Sequence, residues 1–209
     1  MVVVFDLDDT LYDEVDFVRS GFMEIAAYLG DEKYYRYMMK VFESEGSGRV
    51  FDRLIEHYGL STPLKKLIEI YRFHQPNIVL PTESIEWLLC ANKNHHTALI
   101  SDGHYLMQKN KFFALGLERH IDYPIFTDFY HTSKPERLAF KMVMDRYPEQ
   151  RYLYISDNPQ KDFIAPDRLG WETIRYKNPK GIYRNVFGRA GYETDDRREI
   201  LHLIESLER

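Results

Sequence analysis

The sequence contains a single cysteine, Cys90, so its 209 residues cannot form an intramolecular disulfide. It also lacks long apolar runs: none approaches the roughly 18 residues that a membrane helix requires. The first apolar run, Met1 to Phe5, is interrupted by Asp6 and is too short for the core of a signal peptide. These absences exclude a disulfide-stapled scaffold and a membrane span. We expect a soluble, cytoplasmic protein with no membrane partner.

An excess of positive charge is lacking as well. The 28 Lys and Arg residues face 33 Asp and Glu residues, and the formal net charge of −5 gives no general attraction for nucleic acid. A phosphate-bearing ligand would therefore need a local cation or a bound metal. Aromatic residues reach 15% but follow no fixed period, which excludes a repeat architecture. The apolar share of 44% is ordinary for a globular domain.

Short apolar runs with the length and composition of buried strands recur along the chain. They cover residues 2–5, 97–100, 124–126, 152–155 and 172–176. Helix-like segments lie between them, and one is predicted to open at Ser133-Lys134-Pro135, because proline suits an early helical position. Strands that alternate with helices predict an α/β fold with a doubly wound, Rossmann-like parallel sheet. Ligands of such sheets bind at the carboxyl ends of the strands.

The interval between the first two predicted strands is too long for one crossover. A βαβ unit takes about 30 residues, whereas about 90 residues separate these two strands. Apolar residues at helical spacing, such as Val18, Phe22 and Ile25, fill most of the interval. We therefore predict a core formed by residues 1–12 and 81–209 and an inserted helical domain formed by residues 13–80.

Two carboxylates directly follow the first predicted strand. The period of two along an extended chain directs Asp6 and Asp8 to the same side. Carboxylates so close repel one another unless a cation or a shared proton offsets the repulsion. A polar loop is the plainer interpretation of this pair alone, so the rest of the chain must decide.

Further polar residues follow the other predicted strands. Ser101 ends the second strand, Lys134 lies before a predicted helix, and Asp157 and Asp162 follow the fourth strand. Each has a purely structural interpretation: a turn residue, a solvated lysine, or acids that cap a helix. Their occurrence in order at one edge of the sheet is improbable as coincidence. The pattern therefore favours a functional site at this edge of the sheet.

On these motifs the chain resembles the haloacid dehalogenase-like hydrolases, in particular the phosphatase branch with a helical type 1 cap. The resemblance covers essentially the whole core and makes the inserted domain the cap. It implies that Asp6 is the nucleophile and Asp8 the general acid/base. It further implies that Ser101 binds a phosphoryl oxygen and that Lys134 neutralises charge around a phosphoaspartate.

The resemblance also implies a magnesium cofactor, Mg²⁺, and a set of ligand-binding residues. The candidate metal residues are Asp6, Asp8, Asp157 and Asp162. The candidate substrate-binding residues are Thr10, Asp102 and Gly103 in the core and Arg49 and Arg72 in the cap. Two positions depart from the family pattern: Ser156 stands where glycine is usual, and Asp102 stands where asparagine is usual.

The function that follows is a Mg²⁺-dependent phosphatase that hydrolyses a small phosphate monoester, a sugar phosphate or a nucleotide, through an aspartyl-phosphate. A dehalogenase is disfavoured because halide leaves without a proton and has no need of Asp8. A phosphomutase acting on a sugar phosphate would use the same core residues. A non-catalytic binding module would be expected to have lost one of Asp6, Asp8, Lys134 or Asp157, and all four are present.

Overall fold

The computed structural model describes residues 1–206, so the predicted end of the core at residue 209 lies outside the described residues. Six parallel strands within them form one sheet in the order β3-β2-β1-β4-β5-β6. They are β1 (Val2–Phe5), β2 (His96–Ser101), β3 (Tyr123–Phe126), β4 (Tyr152–Ser156), β5 (Glu172–Tyr176) and β6 (Tyr192–Thr194). The chain runs outward from β1 to β3 and then returns to place β4 beside β1. The predicted doubly wound α/β fold is confirmed.

Helices connect the strands and fill the long interval after β1. They are α1 (Glu14–Leu29), α2 (Lys33–Glu45), α3 (Val50–Tyr58), α4 (Leu64–Phe73), α5 (Thr82–Asn94), α6 (Tyr105–Ala114), α7 (Leu138–Arg146), α8 (Ile164–Arg168) and α9 (Arg197–Ser206). Within the described part of the chain, no helix combines the length and the apolar character needed to cross a membrane.

The chain divides into two compact units. The first joins Met1–Glu14 to Val79–Arg209 and holds the sheet with α5 to α9. The second, Val15–Ile78, holds α2 to α4 and nearly all of α1.

The core of the first unit forms on the central strand. Every residue of β1 is fully buried, which is why the strand is a continuous apolar run rather than an alternating one. Val2 and Val4 pack in one cluster with Phe140 and Val143 of α7. Burial of each such side chain contributes about 1.5 to 3 kcal/mol, so this packing holds the end of β1 in a fixed place.

The core of the second unit is rich in aromatic rings. Phe22 of α1 makes edge-to-face contacts with Phe42 and Phe51, and Phe17 makes one with Tyr71. The rings lie at helical spacing because each helix turns one face toward this core. These aromatic residues are accounted for by packing within the unit.

Three features differ from the sequence prediction. Strand β6 was not predicted, because two of its three residues are exposed and it lacks an apolar run. Helix α5 was not predicted either. The helix predicted to open at Ser133-Lys134-Pro135 begins at Leu138 instead, and Lys134 and Pro135 lie in a turn with a cis peptide bond between them.

Candidate active site

A cavity of about 160 Å³ opens at the carboxyl ends of the central strands. Strand β1 pairs with β2 on one side and β4 on the other, so the segments that follow these three strands meet at one edge. This is the point where the strand order reverses, the usual ligand position in such sheets. The cavity is lined by Asp6, Asp8, Asp9, Glu14, Asp102, Lys134, Asp157, Asn158, Lys161, Asp162, Ile182 and Tyr183.

Lys134 is the buried cation of the site. Its Nζ donates a hydrogen bond to Asp6 Oδ1 at 2.7 Å and another to the Tyr154 hydroxyl at 3.1 Å. Asp162 Oδ1 lies 3.2 Å from the same Nζ. Burial alone would lower the pKa of Lys134, but the carboxylates of Asp162 and Asp6 outweigh it and raise the pKa well above its usual value. Lys134 is therefore a permanent positive charge beside Asp6.

Three buried carboxylates share the region around this lysine. One oxygen each from Asp6, Asp157 and Asp162 lies within 4.8 Å of the others. Burial, reinforced by the neighbouring carboxylates, raises the pKa of Asp157 to about 9. Burial also raises the pKa of Asp6 to about 7, although Lys134 opposes the shift. When all three are ionised, the group carries more negative charge than Lys134 can offset.

This donor set fits a hard divalent cation. Mg²⁺ prefers carboxylate oxygens and is held by few of them. Asp162 Oδ1 is buried with the ammonium of Lys134 at 3.2 Å but accepts no well-aligned hydrogen bond from the described residues, while Ser156 donates to the other oxygen of the same carboxylate. Asp6, Asp157 and Asp162 are therefore the side chains placed to hold Mg²⁺. The predicted ligands Asp6, Asp157 and Asp162 are brought together.

Asp8 differs from the predicted metal set, because its carboxylate is not a member of the three-carboxylate group. It accepts hydrogen bonds from Tyr12 at 2.6 Å, Lys111 at 2.8 Å and Gln108 at 2.8 Å. Burial alone would raise the pKa of Asp8, but the Lys111 ammonium and these hydrogen bonds outweigh it and lower the pKa. The chain itself satisfies this carboxylate, so Asp8 needs no metal ion.

Asp102 lines the cavity, and its contact with a substrate remains a prediction. Its carboxylate accepts hydrogen bonds from Lys161 Nζ at 2.6 Å, from the Thr127 hydroxyl at 2.8 Å and from the backbone N–H of Lys134 at 3.2 Å. A carboxylate would repel a phosphate. Asp102 positions the two lysines, Lys134 through its backbone and Lys161 through its ammonium group.

The other predicted core residues do not line the cavity among the described residues. Ser101 is buried at the end of β2. Thr10 is fully buried, and its hydroxyl has no hydrogen-bond partner in the described chain. Gly103 has a φ of +120°, and a Cβ there would lie 2.9 Å from Gln108 Nε2, so glycine allows the turn after β2 to approach that side chain. The expected substrate contacts of Thr10 and Gly103 are not supported by this geometry.

The two predicted cap contacts lie in the second unit. Arg49 precedes α3 and is exposed, with its guanidinium 3.4 Å from Glu56. Arg72 is exposed in the last turn of α4. Their contact with a substrate remains a prediction.

The sequence interpretation missed several residues of the site. Gln108 and Lys111 both bind Asp8 from α6, and their spacing of three residues puts them on one face of that helix. The available signal in the sequence was this pair of polar residues, three positions apart, in the segment that follows Ser101. Lys161 lies beside the predicted Asp162 but was not assigned a role. Ile182 and Tyr183 carried no signal, because they belong to no charged or motif-like pattern.

Comparisons with known proteins find relatives of similar sequence and similar fold. A glyceraldehyde 3-phosphate phosphatase from Methanocaldococcus jannaschii is 24% identical over 225 residues, which cover 99% of this chain and 98% of the relative. The candidate hydrolase YfnB from Bacillus subtilis, solved bound to magnesium, has a TM-score of 0.70 at 19% identity and 97% coverage of both chains. A candidate β-phosphoglucomutase from Thermotoga maritima has a TM-score of 0.69 at 20% identity and 99% coverage of both.

The two solved structures show the same fold over nearly the whole chain. The sequence profile of the haloacid dehalogenase-like hydrolases matches residues 3–176, which contain every one of the acidic and basic side chains that line the cavity. This match spans most of the sequence and both compact units. The chain therefore belongs to the haloacid dehalogenase-like hydrolases, as its motifs suggested.

Proposed function

We propose that this protein is a Mg²⁺-dependent phosphatase that hydrolyses a small sugar phosphate through a phosphorylated Asp6. The observation that carries the proposal is the buried Asp6 carboxylate, 2.7 Å from Lys134 and grouped with Asp157 and Asp162. A nucleophile, a fixed cation and ligands for a metal ion are the parts that phosphoryl transfer needs. The relatives named glyceraldehyde 3-phosphate phosphatase support the sugar phosphate class.

The reaction divides into two transfers. A carboxylate oxygen of Asp6 attacks phosphorus, and the bond from phosphorus to the leaving oxygen breaks while that oxygen takes a proton from Asp8. In the second transfer Asp8, now ionised, removes a proton from water, and the water oxygen displaces Asp6 from phosphorus. Inorganic phosphate leaves, and Asp8 holds a proton again.

The contacts of Asp8 suit the second transfer in particular. Lys111, Gln108 and Tyr12 hold the carboxylate in one place and favour its ionised form, which is the form that removes a proton from water. In the first transfer Asp8 must carry a proton, so its pairing with Lys111 must weaken at that step.

Positive charge stabilises the transferring phosphoryl group. Lys134 is fixed beside Asp6, and Lys161 is held at the cavity by Asp102. Bound Mg²⁺ would supply a further positive charge to the phosphoryl oxygens. Preorganised charge of this kind is the main source of rate enhancement in phosphoryl transfer.

We further propose that residues 13–80 act as a cap that contributes contacts to the substrate. Arg49→Ala and Arg72→Ala test this proposal. At least one should raise the KM for a sugar phosphate while sparing p-nitrophenyl phosphate, a small generic ester. Equal effects on both esters would contradict a role in substrate selection.

The test of activity is phosphate release from a panel of sugar phosphates, including glyceraldehyde 3-phosphate, and of nucleoside monophosphates. We expect turnover of at least one triose or other small sugar phosphate with Mg²⁺, and none after chelation. The Asp6→Asn variant is the control for a contaminating phosphatase. No phosphate release from any ester with Mg²⁺ present would contradict the proposal, and isomerisation without net release would indicate a phosphomutase.

A further inference from the structure

A loop beyond the family match contributes two side chains to the cavity. The loop covers residues 177–191, between β5 and β6, and begins just after the matched segment 3–176. Ile182 and Tyr183 of this loop line the cavity together with the charged groups. They are the uncharged, carbon-rich part of a lining that is otherwise polar.

The first anchor of the loop is Arg175, which is only 2% exposed. Its guanidinium donates to the carbonyl oxygens of Tyr183 at 2.8 Å and Val186 at 2.9 Å. The same group donates to the carbonyl oxygen of Asp157 at 3.3 Å. One buried cation thus ties the backbone of the loop to the backbone of a candidate metal ligand.

The second anchor is Asn178, which is buried at the start of the loop. Its side-chain amide donates to the Asp9 carbonyl oxygen at 3.1 Å and to Asp13 Oδ1 at 3.0 Å. Lys180 Nζ also donates to Asp13 Oδ2, at 2.6 Å. These contacts attach the loop to the segment that follows β1.

The third anchor is a close approach at Gly188. A Cβ at this position would lie 2.2 Å from Pro159 Cβ and 2.8 Å from the Pro159 carbonyl oxygen, so only glycine fits without displacing the backbone. Pro159 belongs to the segment that follows β4. The loop is thus fixed at both of its ends and in its middle, against the same segments that carry Asp6 and Asp157.

The anchored backbone holds Ile182 at the mouth of the cavity. Ile182 is 73% exposed, so its side chain is available for contact with a ligand. Tyr183 is partly buried beside it and also lines the cavity, and its phenol hydroxyl is a hydrogen-bond donor for a ligand there.

We propose that Ile182 and Tyr183 contact the leaving group of the phosphate ester. This inference rests on the proposed phosphatase function and adds two side chains that touch the substrate outside its phosphoryl group.

The experiment compares Ile182→Ala and Tyr183→Phe with a matched control, Phe187→Ala. Phe187 lies on the same loop and is 98% exposed, but it is not part of the cavity lining. Steady-state kinetics on a triose phosphate are measured for each variant, together with competitive inhibition by inorganic phosphate. The ester reports the whole site, whereas inorganic phosphate reports only the part that binds the phosphoryl group.

We expect Ile182→Ala to raise the KM for the triose phosphate about 10-fold with kcat nearly unchanged, because apolar contact with the leaving group is lost. Tyr183→Phe should raise the KM for the triose phosphate about 3- to 10-fold, as expected for the loss of one hydrogen bond. The inhibition constant of phosphate should stay within about 2-fold in both variants. Phe187→Ala should match the wild type.

Two results would overturn the inference while leaving the proposed function intact. One is an unchanged KM in both cavity variants. The other is an equal change in the KM for the ester and in the inhibition constant of phosphate, which would place these side chains against the phosphoryl group. A wild-type protein without turnover would overturn the proposed function itself, and the leaving-group role with it.

Discussion

Two buried lysines pair with Asp6 and Asp8, two of the aspartates that follow β1, and the two pairs are unequal. Lys134 Nζ lies 2.7 Å from Asp6, and Lys111 Nζ lies 2.8 Å from Asp8. Lys134 shares its charge with Asp162, another buried carboxylate, at 3.2 Å. Lys111 is shared as well, because Glu14 lies 3.7 Å from its Nζ, but Asp8 also accepts hydrogen bonds from the neutral groups of Tyr12 and Gln108. The two aspartates therefore differ in how far the chain itself satisfies their carboxylates.

This difference assigns the binding of a metal ion to the Asp6 side of the site and proton transfer to Asp8. Burial and the surrounding carboxylates keep the pKa values of Asp6 and Asp157 raised, to about 7 and about 9. The Lys111 pair lowers the pKa of Asp8 despite its burial. The Asp6 side of the site is short of positive charge and suits Mg²⁺, whereas the Asp8 carboxylate itself is held ionised by Lys111 and its hydrogen bonds. Variants of Asp6 and of Asp8 should both lose turnover, but they should differ in their affinity for magnesium.

The largest effect is expected for Asp6→Asn. The amide removes the nucleophile and one of the three candidate metal ligands, so turnover of a sugar phosphate should fall at least about 1,000-fold. Magnesium affinity, measured by isothermal titration calorimetry, should fall as well. Circular dichroism provides the control that the variant is folded. Turnover near that of the wild type would show that Asp6 is not the nucleophile.

Asp8→Asn should give the next largest effect, with a different signature. Loss of a positioned proton-transfer group should lower turnover of a sugar phosphate by at least about 100-fold. The rate of the first transfer should fall less for p-nitrophenyl phosphate, because its leaving group departs without a proton. Single-turnover kinetics measures the rate of that step. Magnesium affinity should stay close to the wild-type value because the Asp8 carboxylate lies outside the metal group. A loss of affinity as large as that of Asp6→Asn would contradict the separation of the two sides.

Much of this arrangement was predictable from the sequence because it depends on local patterns. Strands such as β1 are continuous apolar runs, and the acids follow the strands directly, so the fold class and the group of Asp6, Asp157 and Asp162 could be inferred. The direction of a side chain is less local. Thr10 follows the same motif yet is fully buried, because the turn after Asp8 directs it into the protein.

The neutralising partners could not be predicted in the same way. Lys111 lies 103 residues after Asp8, and its role follows from the tertiary fold, which brings α6 to the segment after β1. Ile182 and Tyr183 reach the cavity through anchors that no periodicity reveals, notably the contacts of Arg175 with loop carbonyl groups. Charge patterns thus locate a site, while tertiary packing decides which residues serve it.

The dependence of stability on pH should expose the charge imbalance of the whole cavity. Besides Asp6 and Asp157, the pKa of Glu14 is raised to about 7, chiefly by the Asp8 carboxylate, and that of Asp9 to about 6, chiefly by burial. The folded pKa values of Asp6 and Asp157 lie above the ordinary value of 3.8 for the unfolded chain. The folded state therefore binds more protons between about pH 4 and pH 9, and the metal-free protein should lose stability as pH rises through this window. Each group contributes up to about 1.4 kcal/mol per pH unit within its own range.

Thermal unfolding in EDTA and in Mg²⁺ from pH 5 to pH 9 measures this effect. Mg²⁺ binds ionised carboxylates, so the stabilisation that it adds should grow with pH. In EDTA, the melting temperature of Asp157→Asn should fall less steeply above pH 7 than that of the wild type, because the carboxyl group with a folded pKa of about 9 is gone. A melting temperature in EDTA that rises with pH across this range would contradict the charge imbalance.

The smallest effect is expected for Tyr12→Phe, which tests how securely the chain holds Asp8. The hydroxyl of the fully buried Tyr12 donates to Asp8 Oδ1 at 2.6 Å, and Lys111 donates to the same oxygen at 2.8 Å. The substitution should cost about 1 kcal/mol in urea unfolding and less than about 10-fold in turnover, since the lysine remains. Lys111→Met should cost more on both measures, because it leaves Asp8 without its cation. If Tyr12→Phe lowers turnover as much as Lys111→Met, the hydrogen bond and not the charge holds Asp8 in place.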